Sequence, residues 1–581
     1  MANNPIFNRG SRISSSILVK GKELDYRFKL SKLTVMKEFN KISSAEIVLL
    51  DGDVARGDFE TSNTDEVLIG NGIEIHTGYD GHNETIFKGI IIKLAIKAEE
   101  ETSYLVVTAK DEACKMTTNR YNVVYSEASD SDVIEEIIQK YGLKSDIDKT
   151  SFKYESLTQY NSNDWDFINM RAEINSMLVY TKDGEVVVKK PNLEKDPKLE
   201  IHYGSGVFDF EAEIDGRTNY TEYEAESWNF SNQEPDSVSQ KTGIGDTPQG
   251  NILSKDLASA MQSDTCKIAV QSTLNDKGVL TDYLNAMIMR DNLSRITGSV
   301  RIYGFADIHP GDMIDLQRVG DRFNGKTFVT GIEHQIEEGE WFTTIRFGMD
   351  ASVYAKKYDD INSLGASGML PAINGLQTGK VMQLEDDPLG EDRILICLTG
   401  FASGEKGIWA RIATLDAGNE RGSFFRPEVD DEVIVGFIND HPDGAVVLGM
   451  MNSSTIPAPQ KTDAVNNIKG IYTRSKIKLE FDDEKKSVLI ETPGGNKLSI
   501  SDDAQGISLE DQHGNKVVLD SNGITIESAG ALNLKAKKDV ALEGLNIDIK
   551  AQSAFKAEGG SGAEVSTSGN AVLKGALVQI N

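Results

Sequence analysis

The sequence predicts a mainly β, multidomain chain whose C-terminal part is an intertwined, homo-oligomeric β-helix. Three observations point there. First, residues 471–581 alternate apolar and polar side chains over short spans: Ile477/Leu479/Phe481, Val488/Ile490, Leu498/Ile500, Ile507/Leu509, Val517/Leu519, Ile524/Ile526, Leu532/Leu534, Val540/Leu542, Ile547/Ile549 and Val578/Ile580. Alternation with period two is the strand signal. Second, Gly495-Asn496-Lys497-Leu498-Ser499-Ile500 returns 19 residues later as Gly514-Asn515-Lys516-Val517-Val518-Leu519. Gly506-Ile507-Ser508-Leu509-Glu510 returns 17 residues later as Gly523-Ile524-Thr525-Ile526-Glu527. Such repeats mark a solenoid or β-helix. Third, the stretch lacks a core of its own: after Phe481 its one aromatic residue is Phe555. Several copies wound together would pair every strand edge and line one axis with apolar side chains. Those side chains shrink toward the end (Ala536, Ala541, Ala551, Ala554, Ala557, Ala563), which suits a taper. The alternative is a single-chain β-solenoid.

The formal charge is −30 over 581 residues. Residues 471–581 hold 13 basic and 16 acidic side chains, so −27 sits in the first 470 residues. An acidic front argues against nucleic acid or an anionic membrane as the main partner. Cys114, Cys266 and Cys397 lie far apart without a CxxC pair, and are expected as small buried hydrophobes of a chain made in a reducing compartment. No apolar run approaches the ~18 residues of a membrane span. Met1-Ala2-Asn3-Asn4-Pro5 lacks the charged and apolar regions of a signal peptide, so export would need a dedicated machine.

Taken in order, residues 1–115 read as a β barrel or sandwich. Tyr26/Phe28/Leu30, Ala45/Ile47/Leu49 and Ile73/Ile75 alternate, and turns fall at Asp51-Gly52-Asp53 and Asp80-Gly81. Asp51-Gly52-Asp53 lacks the later ligands of a calcium loop and is expected to be a plain turn. A helix capped by Asp132 carries Val133, Ile134, Ile137, Ile138 and Tyr141 on one face and ends at Gly142. A second helix is expected over Asp164–Ile174, then a hairpin turning at Asp183-Gly184. Residues 230–280 read as a loop followed by one or two helices, with Tyr283–Leu293 helical. Strands return over Gly298–Gly348, with turns at Ile308–Asp312 and Phe323–Gly325. Gly365, Gly368 and Pro371 mark a linker over 352–375. Five strands near Gly379–Leu384, Arg393–Leu398, Gly407–Ala413, Glu432–Ile438 and Ala445–Met450 fit an OB-type barrel.

Four segments carry a family resemblance. Thr158-Gln159-Tyr160-Asn161-Ser162-Asn163-Asp164-Trp165-Asp166-Phe167-Ile168 resembles the tyrosine–aspartate–tryptophan–phenylalanine segment of the VgrG spike and phage tail-hub family. His309-Pro310-Gly311-Asp312, Phe323-Asn324-Gly325 and Gly339-Glu340-Trp341-Phe342-Thr343-Thr344 resemble its second hub barrel. Trp409-Ala410-Arg411-Ile412-Ala413, Phe425-Arg426-Pro427-Glu428-Val429 and Asp431-Glu432-Val433-Ile434-Val435-Gly436-Phe437 resemble its OB domain, and Gly575-Ala576-Leu577-Val578-Gln579-Ile580-Asn581 its tip ending. Two positions depart. Asp430 stands where that family has glycine, and Asn439-Asp440-His441-Pro442 replaces a glycine–aspartate–proline turn.

The resemblance implies a phage-hub-like domain over 1–365 with two β-barrels and α/β insertions, an OB domain over 366–456 and a β-helix spike over 457–581. It implies a homotrimer made in the bacterial cytoplasm and fired from a contractile injection system: type VI secretion, a phage-tail-like particle or a phage. Its implied partners are an Hcp-like tail-tube protein, baseplate proteins, effector cargo and a PAAR-type tip protein. The tip would dock on Leu577, Val578, Gln579, Ile580 and Asn581. The alternative is a phage tail spike or baseplate hub with glycan-binding or cell-wall-degrading activity.

No catalytic, cofactor or metal site is expected. His76, His82, His202, His309, His334, His441 and His513 form no metal-ligand spacing, and His334 reads as a core histidine. Gly204-Ser205-Gly206 and Gly559-Gly560-Ser561-Gly562 lack the context of a nucleophile elbow. Asp386-Asp387 and Asp430-Asp431-Glu432 are expected as solvated turn residues. The join at 457–470 is too short for an inserted lysozyme domain. With nothing after Asn581, no fused effector is expected.

Overall fold

The computed structural model describes residues 12–53, 55–99, 102–270, 276–400 and 406–580. The chain divides into two units, Met1–Leu376 with Gly436–Val446, and Gln377–Val435 with Val447–Asn581.

A 13-stranded sheet frames the first unit. Its N-terminal strands Ile13–Val19, Leu30–Glu38, Ser44–Leu50, Gly72–Tyr79, His82–Ala98 and Ser103–Lys110 alternate as the sequence requires. They bury Leu33, Val35, Ile47, Ile75, Phe87 and Val107 in one core. Strands from the far end of the unit, Ile296–Tyr303, Met313–Gln317, Gly325–Glu337 and Glu340–Phe347, build a second core around Val300, Ile314, Leu316, Val329 and Ile345. The two expected hub barrels are thus one sheet with two cores. The join is the antiparallel pairing of Leu30–Glu38 with Gly325–Glu337, in register from Glu38↔Gly331 to Lys32↔Glu337.

Several local expectations are corrected. Tyr26 and Phe28 lie in a turn, where Asp25 accepts from the Arg27 backbone N–H (2.9 Å), and Tyr26 is exposed. Helix α1 runs Asp130–Lys140, and its cap is Ser129, not Asp132. The Ser129 hydroxyl accepts from Asp132 N–H (3.3 Å), and Asp132 Oδ2 accepts from Ser129 N–H (3.4 Å). Asp132 is the other half of this capping box. Helix α2 spans Asp164–Ile174, capped by Asn163, and the hairpin Leu178–Lys182/Glu185–Lys189 packs with both helices. Residues 222–241 form a hairpin, Glu222–Asn229 paired with Glu234–Lys241, where the second strand was expected to be loop. In that strand only Val238 is a large apolar residue, so no alternation shows. Helices α3 (Ser254–Met261) and α4 (Lys277–Leu293) follow, and α4 buries Leu280, Leu284 and Ile288 against Tyr223 and Ala225. Asp51 is more than a turn residue. It is buried and accepts from the N–H groups of Thr61 and Ser62 (2.9 Å each), so it faces donors and not a cation.

Gln377–Gln383, Ile394–Leu398, Ile408–Ile412, Glu432–Phe437 and Ala445–Met450 form a closed five-stranded barrel around Val381, Ile394, Ile396, Ala410, Val433 and Val447. These are the five strands expected of an OB barrel. Among the described residues, no helix is long and apolar enough to cross a membrane.

Candidate trimerisation face

Beyond the barrel the chain folds as a seven-stranded antiparallel meander: Ile468–Tyr472, Lys478–Asp482, Ser487–Glu491, Lys497–Ser501, Gly506–Glu510, Lys516–Asp520 and Gly523–Glu527. Each strand pairs with its sequence neighbour. The repeated sequence sets repeated turns. Asp511 Oδ1 accepts from His513 N–H and Asn515 N–H (2.9 Å each), and Asp482 Oδ1 accepts from Glu484 and Lys485 N–H (3.1 Å each). Gly495 and Gly514, 19 residues apart, hold the same left-handed conformation at φ +96° and +87°.

From Lys478 to Glu527 the register puts the alternating apolar residues on one side, with Leu489 and Val518 on the other. Leu479 faces Ile490, and Phe481 faces Val488; Ile490 and Val488 in turn face Leu498 and Ile500. Leu498 faces Leu509, Ile500 faces Ile507, and the series continues through Val517, Leu519, Ile524 and Ile526. That makes twelve apolar side chains on one face. The opposite face carries the Lys478–Glu491, Lys497–Glu510 and Lys516–Glu527 ion pairs at 2.8–2.9 Å. Among the described residues, nothing buries the apolar face. From Leu448 onward no described residue is buried, and Ile526 is 55% exposed. Residues 528–580 form no regular element within the chain, and Leu532, Leu534, Val540, Leu542, Ile547 and Ile549 stand exposed. Leu577, Val578 and Ile580 are exposed as well, and Gln579 with them; Asn581 lies outside the described residues.

The candidate chemical groups are placed elsewhere and are engaged structurally. His334 is buried with Nδ1 2.9 Å from Thr343 Oγ1, and burial pushes it down to about 3. Burial likewise lowers His309 to about 4. Asp387, expected from sequence to be solvated, is instead enclosed by donors. Beside the Arg393 guanidinium its pKa falls, and it also accepts from Leu389, Glu391 and Arg393 N–H. Gly204-Ser205-Gly206 is a turn. Among the described residues, no group of three His, Cys, Asp or Glu could hold a metal ion. The cysteines are free and half-buried, and burial raises the thiols of Cys114 and Cys266. In the tryptophan-bearing segment, Gln159 Nε2 and the Tyr141 hydroxyl donate to the two oxygens of Asp164 (2.8 Å each). On the barrel, Arg393, Arg421 and Arg426 are each paired with an aspartate (Asp387, Asp416, Asp392). Those pairs leave little free cationic charge for a phosphate backbone.

Residues 9–338 match the family model described as the Alg8 N-terminal domain. Residues 377–451 match the type VI secretion system/phage-baseplate injector OB domain, and residues 487–581 match the phage baseplate V C-terminal trimerisation domain. No curated protein matches the chain. Similar solved structures include the 43 kDa tail protein of prophage MuSo2 from Shewanella oneidensis (8% identity, TM-score 0.46, covering 58% of this chain and 98% of that one). Another is an Escherichia coli component of the type VI secretion system (12%, 0.39, 75% and 99%). A third is the half-lidded PdpA–VgrG complex of Francisella (11%, 0.37, 90% and 89%). On the family matches, the chain belongs to the family of the Alg8 N-terminal domain and carries after it, in order, an injector OB domain and a baseplate trimerisation domain.

Proposed function

We propose that this protein is the structural hub and spike of a contractile injection system, acting as a homotrimer. The observation that carries the reading is the meander. Twelve apolar side chains lie on one face, and no described residue beyond the barrel is buried. Three such faces turned inward make a three-sided prism with a continuous apolar axis. Burying a large aliphatic side chain is favourable by about 1.5–3 kcal/mol, and these are already half covered. That leaves roughly 10 kcal/mol per chain to be gained on assembly. The strands after Ser528 would pair between chains, since an unpaired strand edge is otherwise exposed along its length.

In this reading the work is mechanical and the chain catalyses no reaction. Sheath contraction supplies the free energy, and the trimer supplies a stiff rod without open edges. The hub would cap the tail tube, and the narrow end would carry a tip protein and, with it, cargo. The family matches to an injector OB domain and a trimerisation domain support this reading. Solution mass is the test. Light scattering at micromolar concentration should give three chains, and a clean monomer would overturn the proposal.

A further inference from the structure

In the first unit, the segment 350–376 leads from the hub strands toward the start of the barrel sequence. It is held at two stations of different character. The upstream station is buried and charge-assisted. Tyr354 is buried; its N–H donates to both oxygens of Glu173 (3.1 Å each), and its hydroxyl donates to Asp166 Oδ1 (2.8 Å). Arg290, also buried, donates from Nε to the Ala351 carbonyl (2.8 Å) and from Nη1 to Glu173 Oε1 (2.8 Å). Arg120 donates to the carbonyls of Asp360 and Ile361. Asp166 belongs to the tryptophan-bearing segment singled out from sequence, so that segment anchors this strap.

The downstream station is strained and mostly exposed, with Ala366 buried within it. Residues 364–373 meet the turn 438–444, the one in which Asn439-Asp440-His441-Pro442 departs from the family pattern. Ile373 N–H donates to the Asp440 carbonyl (2.9 Å), and Asn439 Nδ2 donates to the Ser367 hydroxyl (3.3 Å) at the surface. Four non-glycine residues there hold left-handed backbone: Ala366 and Ser367 at φ +53°, Asn439 at +52° and Asp440 at +55°. The approach is close enough that a Cβ on Gly365 would come within 2.8 Å of Ala372 Cβ. Left-handed non-glycine residues persist only where their surroundings hold them, and they gather at switches and clamps.

We infer that residues 350–376 are a two-station strap whose downstream clasp opens first, while the Tyr354 station stays latched. Opening the clasp frees residues 362–376, roughly 50 Å of extended chain at ~3.3 Å per residue. The hub's own cores would be left intact, because the freed stretch contributes little to them. The load that opens it rests on the spike reading, but the order of release does not.

Hydrogen exchange on the intact protein, read by mass spectrometry of fragments, tests the order. Amides over 362–375 should exchange at least tenfold faster than those over 350–358. Asp440→Gly removes one left-handed penalty and keeps the carbonyl that receives Ile373 N–H. It should slow exchange over 362–375 threefold to tenfold and leave 350–358 unchanged. Tyr354→Phe removes only the hydroxyl donor to Asp166 and should speed 350–358 at least tenfold. Equal exchange of the two stretches in the unmutated protein would overturn the inference. So would a Tyr354→Phe effect confined to 362–375, or an Asp440→Gly variant without effect. If the trimer proves wrong but this order holds, only the spike reading fails.

Discussion

Lys497 and Glu510 stand directly opposite each other on neighbouring strands of the meander, with Nζ 2.9 Å from Oε2. The same pair occurs one repeat earlier as Lys478–Glu491 and one repeat later as Lys516–Glu527. The ladder marks one register, since a slip of one residue would turn both charges to the apolar side. It does not hold the assembly. Lys497 and Glu510 are each more than a third exposed, and such pairs contribute up to about 1 kcal/mol. Lys497→Ala should therefore leave the solution mass unchanged and lower stability by under about 1 kcal/mol.

Ile526→Asp makes the contrasting case. Ile526 lies opposite Val517 on the apolar face. In a trimer, three carboxylates would meet at one level of a dry axis, each costing several kcal/mol. The expected outcome is loss of the heat-resistant trimer with the hub cores still folded, read by gel migration without boiling and by circular dichroism. A normal heat-resistant trimer would show that this face does not line the axis.

Asp430 stands where the family pattern has glycine, and it takes glycine's conformation at φ +75°. Its ion pair to Lys380 Nζ (2.8 Å) is solvent-exposed. Asp430→Gly should therefore raise the urea midpoint of the barrel, by roughly 0.5–1 kcal/mol in stability. A lower midpoint would mean that the Lys380 pair outweighs the backbone.

Asp291 on α4 is buried near the Tyr223 hydroxyl, and burial raises it to about 6. Between its ordinary value of 3.8 and about 6, the folded chain keeps a proton that the unfolded chain has lost. Stability from this group therefore falls as pH rises through that window and stays low at neutral pH, by about 3 kcal/mol. Asp291→Asn should stabilise the hub at pH 7.5 and change little at pH 4, checked by urea unfolding at both. Equal gains at both pH values would locate the effect in packing.

Where local signals were strong, the structure follows them. The five barrel strands, helix α2 and the strand pairs from Leu479 to Ile526 all rest on period or capping, which neighbouring residues carry. What was illegible depends on distant or polar partners. The polar strand Glu234–Lys241 has little apolar alternation to read, and it forms because Glu222–Asn229 pairs with it. The single sheet of the hub depends on Glu38 meeting Gly331, which no local window contains. Asp387 reads as a surface turn residue until Arg393 and three backbone N–H groups converge on it. The residues after Ser528 alternate as clearly as those before it, yet among the described residues of one chain they form no strand.

Deleting residues 575–581 should abolish capture of a tip protein and leave the trimer intact. Leu577, Val578 and Ile580 are 79%, 50% and 87% exposed, with no strand partner among the described residues. Three copies brought together by the meander would present a small three-fold platform of apolar side chains and open backbone. A partner covering it gains strand pairing and apolar burial together, at about 25 cal/mol per Å² of apolar area. The twelve apolar residues from Leu479 to Ile526 on that face all precede Ser528, so losing seven residues here should cost assembly little. Two measurements separate the roles. Solution mass reports the trimer, and pull-down of a PAAR-type protein from the same genome reports the platform. Equal recovery by full-length and truncated protein would place tip binding elsewhere on the rod, whereas loss of trimer mass on truncation would make these residues part of the assembly itself.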